Sequence, residues 1–250
     1  MQPYKFVFVD QSTLQDAAHG GPLTTEILTT IGSAVAKQMN CEVHAEWGCS
    51  VAGPVSFRVG SADGKDVQAD EIGLFILDSL PAAPGAAAYH DRLSNGAPVG
   101  YFAREDYTSH TSGSSSLSVD VSHECIETCG DPGANRWADL ASGTQDAALE
   151  LCDPVQNVIY EVDGIAVSDF VLQSYFDPGA AGPFDHLGKC PAGGDYSGGY
   201  LIVRTEDQAS TDEQPGKRGA KILGSPRATQ KAAHASSRRS RRTLGLVVAS

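Results

Sequence analysis

Hydrophobic and polar positions follow two rhythms along this chain. Residues 5–9, Lys-Phe-Val-Phe-Val, form a short aromatic and β-branched run of strand character. Over residues 23–39 the apolar side chains Ile27, Ile31, Val35 and Met39 recur every fourth position, the stripe of an amphipathic helix that Thr24 or Thr25 is placed to cap. Short strands are expected over residues 42–47, 55–59, 73–77 and 97–103, with a Pro/Gly/Ala loop over 81–88 and a Ser/Thr/Gly loop over 108–116. A second helix is predicted over residues 118–129. Gly130 would end it by supplying left-handed freedom, and Pro132 by refusing to continue it. A strand or turn over 145–150 comes next. The Asp163-Gly164 pair between two β-branched runs then predicts a hairpin over 158–167, and residues 198–203 make the last strand. The pattern describes one α+β domain over residues 1–204.

Composition separates that domain from the C-terminal residues. Hydrophobic content of 41% and charged content of 20% are those of an ordinary globular protein. The net charge of −13 conceals an asymmetry: residues 214–250 carry nine lysines and arginines and no acidic side chain, leaving nine basic against 31 acidic in the rest. Residues 205–250 are therefore expected to be a disordered basic tail, and Ser-Ser-Arg-Arg-Ser-Arg-Arg within it is suited to electrostatic contact with a polyanion. No run of about 18 apolar residues exists to span a membrane, and the first apolar run is too short for a signal peptide. Six cysteines are too sparse for a disulfide scaffold, and Cys125 and Cys129 read as small buried side chains. Gly-x-Ser-x-Gly elbows, Cys-x-x-Cys pairs and phosphate loops are absent, which argues against serine hydrolase, zinc ribbon and nucleotide chemistry.

The candidate chemistry lies in the second helix. His123 and Glu127 stand one turn apart on one face, and Glu124 follows His123 directly. A His-Glu-x-x-His helix uses that spacing to present two ligands to zinc while the adjacent glutamate serves as general base. Here Glu127 stands where the second histidine would be, a harder donor that opens the site to manganese or calcium as alternatives to zinc. Glu150 or Asp131 would complete the ligand set, with Asp153 orienting a ligand from behind. His90, His110 and His186 are alternative ligands should Glu127 not serve. On an exposed helical face the same glutamates would be no more than solvated charge.

The order strand, long helix, strands, edge strand and active-site helix resembles the catalytic domain of zincin metallopeptidases. The segments 122–132, 150–154 (Glu-Leu-Cys-Asp-Pro), 175–178 (Tyr-Phe-Asp-Pro) and 198–200 resemble a family of uncharacterised phage and bacterial proteins described as metallopeptidases, across residues 4–204. The resemblance implies a zincin-like fold and a metal-dependent peptidase acting on a peptide or protein substrate. His123 would be a ligand and Glu124 the general base, with Tyr175 a candidate hydrogen-bond donor to a tetrahedral intermediate. The third-ligand position of the extended metzincin motif falls on Gly133, which cannot bind metal, and only Met1 and Met39 are available for a methionine turn. A non-catalytic accessory protein, stabilised by a divalent ion such as calcium, is the alternative expectation. Either would reside in the cytoplasm or on a virion.

Overall fold

A computed structural model describes residues 2–139, 145–177, 179–190, 199–205 and 211–215. Strand β1 (Lys5–Asp10) is followed by helix α1 (Thr25–Gln38), a π-helical turn (Met39–Val43) and a short helix α2 (His44–Trp47). Four strands come next: β2 (Ser56–Val59), β3 (Ile72–Leu77), β4 (Ala88–Arg92) and β5 (Pro98–Ala103). Helix α3 (Leu117–Gly130) leads to β6 (Trp137–Asp139), β7 (Gln145–Ala148), the hairpin β8 (Ile159–Val162) and β9 (Ile165–Ser168), and then β10 (Tyr200–Thr205) and β11 (Thr211–Pro215).

The first five strands form one sheet in the order β2-β1-β3-β5-β4. The pairs of β1 with β2, β1 with β3, and β3 with β5 are parallel, whereas β4 runs antiparallel along the β5 edge. Strands β11, β10, β7 and β6 make a second sheet in that order. The expected α+β character is present, with a mixed sheet and a continuous helical stretch from α1 through α2. The main core joins Phe6, Phe8, Leu74, Ile76 and Phe102 from the sheet to Leu28, Ile31 and Val35 of α1 and to Leu117, Val121 and Ile126 of α3. Gly32 permits the close approach of α1, because a Cβ there would lie 2.7 Å from Phe57 Cβ.

Thr24 caps α1 as expected, its Oγ1 accepting the Ile27 N–H at 3.2 Å. Residues 42–47, expected as a strand, are instead helical. The stripe Ile31, Val35, Met39 and Val43 is buried without a break, so the fourfold rhythm carries the chain through the π turn to Gly48, whose φ of +69° ends the helix. The Asp163-Gly164 hairpin forms with both turn residues at positive φ, 53° and 79°, as a two-residue primed turn requires. Two other expectations are corrected. Residues 211–215, assigned to the tail, pair with β10, which itself runs to Thr205; residues 206–210 and 216–250 lie outside the described residues. Cys129, expected to be a lone buried side chain, is joined to Cys49 by a disulfide spanning 80 positions, with Cα atoms 5.6 Å apart. Among the described residues no helix is long and apolar enough to cross a membrane.

Candidate metal centre

Every one of the fourteen residues of α3 is buried, although the helix carries Asp120, His123, Glu124 and Glu127. The bland possibility of a solvated acidic face therefore does not apply. Three contact surfaces account for the burial. Leu117, Val121, Cys125 and Ile126 enter the core. Serines stitch a second face to β9, with Ser118 Oγ donating to Ala166 O at 2.6 Å and Ser122 Oγ accepting the Ser168 N–H at 2.7 Å. The third face carries His123, Glu124 and Glu127 toward His90 of β4 and toward the segment 150–153. The first turn of α3 is satisfied by the preceding loop, where Ser109 O and His110 O accept the N–H groups of Leu117 and Ser118.

His123 Nε2 lies 3.0 Å from Glu127 Oε1 and 3.2 Å from Asp153 Oδ1. His90 supplies a second centre: its Nδ1 is 3.3 Å from Glu124 Oε2 and 3.6 Å from Glu127 Oε2, and its backbone N–H donates to Glu124 Oε2 at 2.9 Å. In each trio, His90/Glu124/Glu127 and His123/Glu127/Asp153, the donor atoms all lie within 4.8 Å of one another. Donor atoms around a tetrahedral zinc ion are about 3.4 Å apart, given bonds of about 2.1 Å. Glu150 completes the group, with Oε2 at 3.9 Å from His90 Nε2.

The electrostatics favour a cation here. Glu124, Glu127, Glu150 and Asp153 bring four carboxyl groups to a region where each is at most 2% exposed. Two imidazoles, those of His90 and His123, stand among them. Burying net charge of one sign is costly unless a proton or a cation offsets it. The donor set, imidazole nitrogen with carboxylate oxygen, fits a divalent metal ion.

The expected ligands are thus distributed unevenly. His123 and Glu127 stand together, whereas Glu150 lies beside His90, 3.9 Å from its Nε2. Asp153, expected behind the ligands, stands among them, at the start of a 3-10 turn (Asp153–Val155) that Pro154 helps to set. Asp131 is also fully buried, but its carboxylate accepts the N–H groups of Asn135 and Arg136 at 2.8 and 2.9 Å and so shapes the turn after α3. Gly130 ends α3 without a left-handed conformation. Its lack of a side chain makes room for Leu151, whose Cδ1 would be 2.7 Å from a Cβ, and this contact seats the 150–153 segment against the helix. Tyr175 packs in a satellite cluster with Val155 and Val171, its ring edge-on to Phe176.

Of the alternative histidines, only His90 joins the group. His110 Nε2 instead accepts from Arg104 Nη2 at 2.8 Å, and burial together with that guanidinium holds its pKa down. His186 stacks on Phe170 at 4.9 Å. What the sequence hides about His90 is its strand: Ala88-Tyr89-His90-Asp91 comes after a loop and is buried throughout, so it shows no alternation. Comparison with protein-family models, with curated proteins and with solved structures found no match.

Proposed function

We propose that this protein is a metal-dependent hydrolase of the peptidase type, with an ion held by His123, Glu127 and Asp153. The observation that carries this is the approach of His123 Nε2 to two carboxylate oxygens from different elements, with Glu124 one residue away on the same helix. Two supports come from the fold. The antiparallel edge strand β4 runs beside α3, although the inner strand β5, not β4, directly precedes that helix. The Cys152 N–H, 3.3 Å from Glu127 Oε1, orients that carboxylate. Imidazole among the donors favours zinc or manganese over calcium, which prefers oxygen throughout.

An ion held by His123, Glu127 and Asp153 would supply Lewis acidity to a carbonyl and to water. Glu124 takes the proton from the attacking water and returns it to the leaving amine. His90, through its backbone N–H, holds the Glu124 carboxylate in place for that transfer. Glu124→Gln keeps the shape of the side chain and removes its basicity. In that variant, hydrolysis of a peptide library read by mass spectrometry is expected to fall at least about 100-fold, with the ion on His123, Glu127 and Asp153 retained. Cleavage at the wild-type rate would end the assignment.

A second function, a non-catalytic fold locked by its ion, is favoured by one observation: His123, Glu124, Glu127 and Asp153 are each no more than 2% exposed. A wild-type protein that holds metal and raises its melting temperature with it, yet cleaves no peptide, would establish that function instead.

A further inference from the structure

We propose that the centre holds two divalent ions rather than one, bridged by the carboxylate of Glu127. The second ion presupposes the metal-dependent function proposed above. Its site is built from His90 Nδ1, Glu124 Oε2 and Glu127 Oε2.

Three observations lead there. First, the two oxygens of Glu127 face different imidazoles: Oε1 is 3.0 Å from His123 Nε2, and Oε2 is 3.6 Å from His90 Nδ1. A carboxylate so placed has one oxygen for each of two ions, as in two-metal hydrolytic sites whose ions stand about 3.5–4 Å apart.

Second, the hydrogen on His90 is fixed by its surroundings. Its Nε2 lies 3.2 Å from the carbonyl oxygen of Asp131, a group that can only accept. Nε2 therefore carries the hydrogen of the neutral ring, and in that form Nδ1 turns its lone pair toward the oxygens of Glu124 and Glu127 at 3.3 and 3.6 Å. A lone pair facing two carboxylate oxygens is repulsive until a cation stands between them. Glu150 Oε2, 3.9 Å from His90 Nε2, lies on the far side of the ring, where a carboxylate strengthens imidazole as a donor.

Third, the donor groups suffice for two ions. Glu124, Glu127, Glu150 and Asp153 are all buried. Together with two imidazoles they supply more donor atoms than one tetrahedral ion can take, and enough for two. With the second ion in place, Glu124 Oε2 faces that ion and Oε1 becomes the proton-accepting oxygen. Asp131 O and Glu150, both at His90 Nε2, then form the outer support of the second ion, while Asp153 belongs to the first alone.

The test is metal stoichiometry on the full chain, stripped with a chelator and dialysed against zinc, then measured by elemental analysis. About two zinc ions per wild-type chain are expected, falling to about one in His90→Ala. In parallel, manganese-loaded wild type should give the electron paramagnetic resonance spectrum of an exchange-coupled pair, a readout that needs no variant to fold. One zinc per wild-type chain, with an uncoupled manganese spectrum, would overturn the second ion and leave the single-ion hydrolase standing. No bound metal would overturn both. Two ions in wild type and still two in a folded His90→Ala would place the second ion elsewhere and reject this site.

Discussion

Helices α1 and α3 are each fourteen residues long and enter the same core, yet they are held there by different physics. Helix α1 is divided by its periodicity. Leu28, Ile31, Ala34 and Val35 are buried, whereas Thr25, Glu26, Thr29, Thr30, Ser33 and Lys37 face solvent. Its burial is apolar except at Gln38, whose Nε2 donates to Ser168 O at 2.8 Å. Helix α3 has no solvent face, and the polar side chains it takes inside must be matched one by one. Serines are matched by β9, and the carboxylates of Glu124 and Glu127 by histidines and by the proposed ions. Apolar burial stabilises α1 whatever the solution contains. The fit of α3 depends on what is bound.

The largest test of that difference is metal removal. Chelation should lower the stability of the whole protein by about 4 kcal/mol if the ion is normally present at about a thousand times its dissociation constant, as read by thermal unfolding with and without zinc. Glu127→Gln should abolish that response, and its metal-free form should melt above metal-free wild type because one buried charge is gone. A melting curve indifferent to metal would make α3 no different in kind from α1.

A smaller effect sharpens the contrast at Asp169, just past β9 and fully buried. Burial first, then a hydrogen bond with Asp185, pushes its pKa from 3.8 up to about 8. The folded state therefore keeps a proton that the unfolded chain releases. The stability this gives is complete below pH 3.8 and is lost as the pH rises through about 8. Denaturant unfolding of Asp169→Asn across that range should lack this part of the wild-type slope; an identical slope would show that Asp169 is ionised in the fold. This carboxyl is relieved by a proton, where those on α3 are proposed to be relieved by metal.

The smallest effect belongs to α1. Thr24→Ala removes the cap on the Ile27 N–H and should cost about 1 kcal/mol in denaturant unfolding, equally with and without metal. A metal-dependent cost would show that the two helices are coupled.

Periodicity explains how much of this was legible beforehand. Helix α1, strands β1, β2, β3 and β5, and the Asp163-Gly164 hairpin arise from repeating apolar positions and turn chemistry, which act locally. The strand expected over residues 42–47 failed because six residues are too short a window to separate strand from helix when the buried stripe runs on from a preceding helix. On α3, the His123/Glu124/Glu127 spacing located the centre, since a helix fixes which side chains share a face. The partners His90 and Asp153 were harder, because they reach the centre from a buried edge strand and a 3-10 turn whose placement is set by the tertiary fold. The cross-link between Cys49 and Cys129 was hidden for the same reason: pairing over 80 positions leaves no local pattern.

That cross-link has a topological consequence. Cys49 and Cys129 stand at the ends of the two helical segments, and the chain between them carries β2, β3, β4 and β5 together with most of α3. The span is a covalent ring, and His90, His123, Glu124 and Glu127 all lie on it. A single backbone break anywhere in the ring, for instance in the 81–87 connection, would leave one molecule in which both pieces stay tethered across the centre. Only a break together with reduction of the disulfide would set them apart.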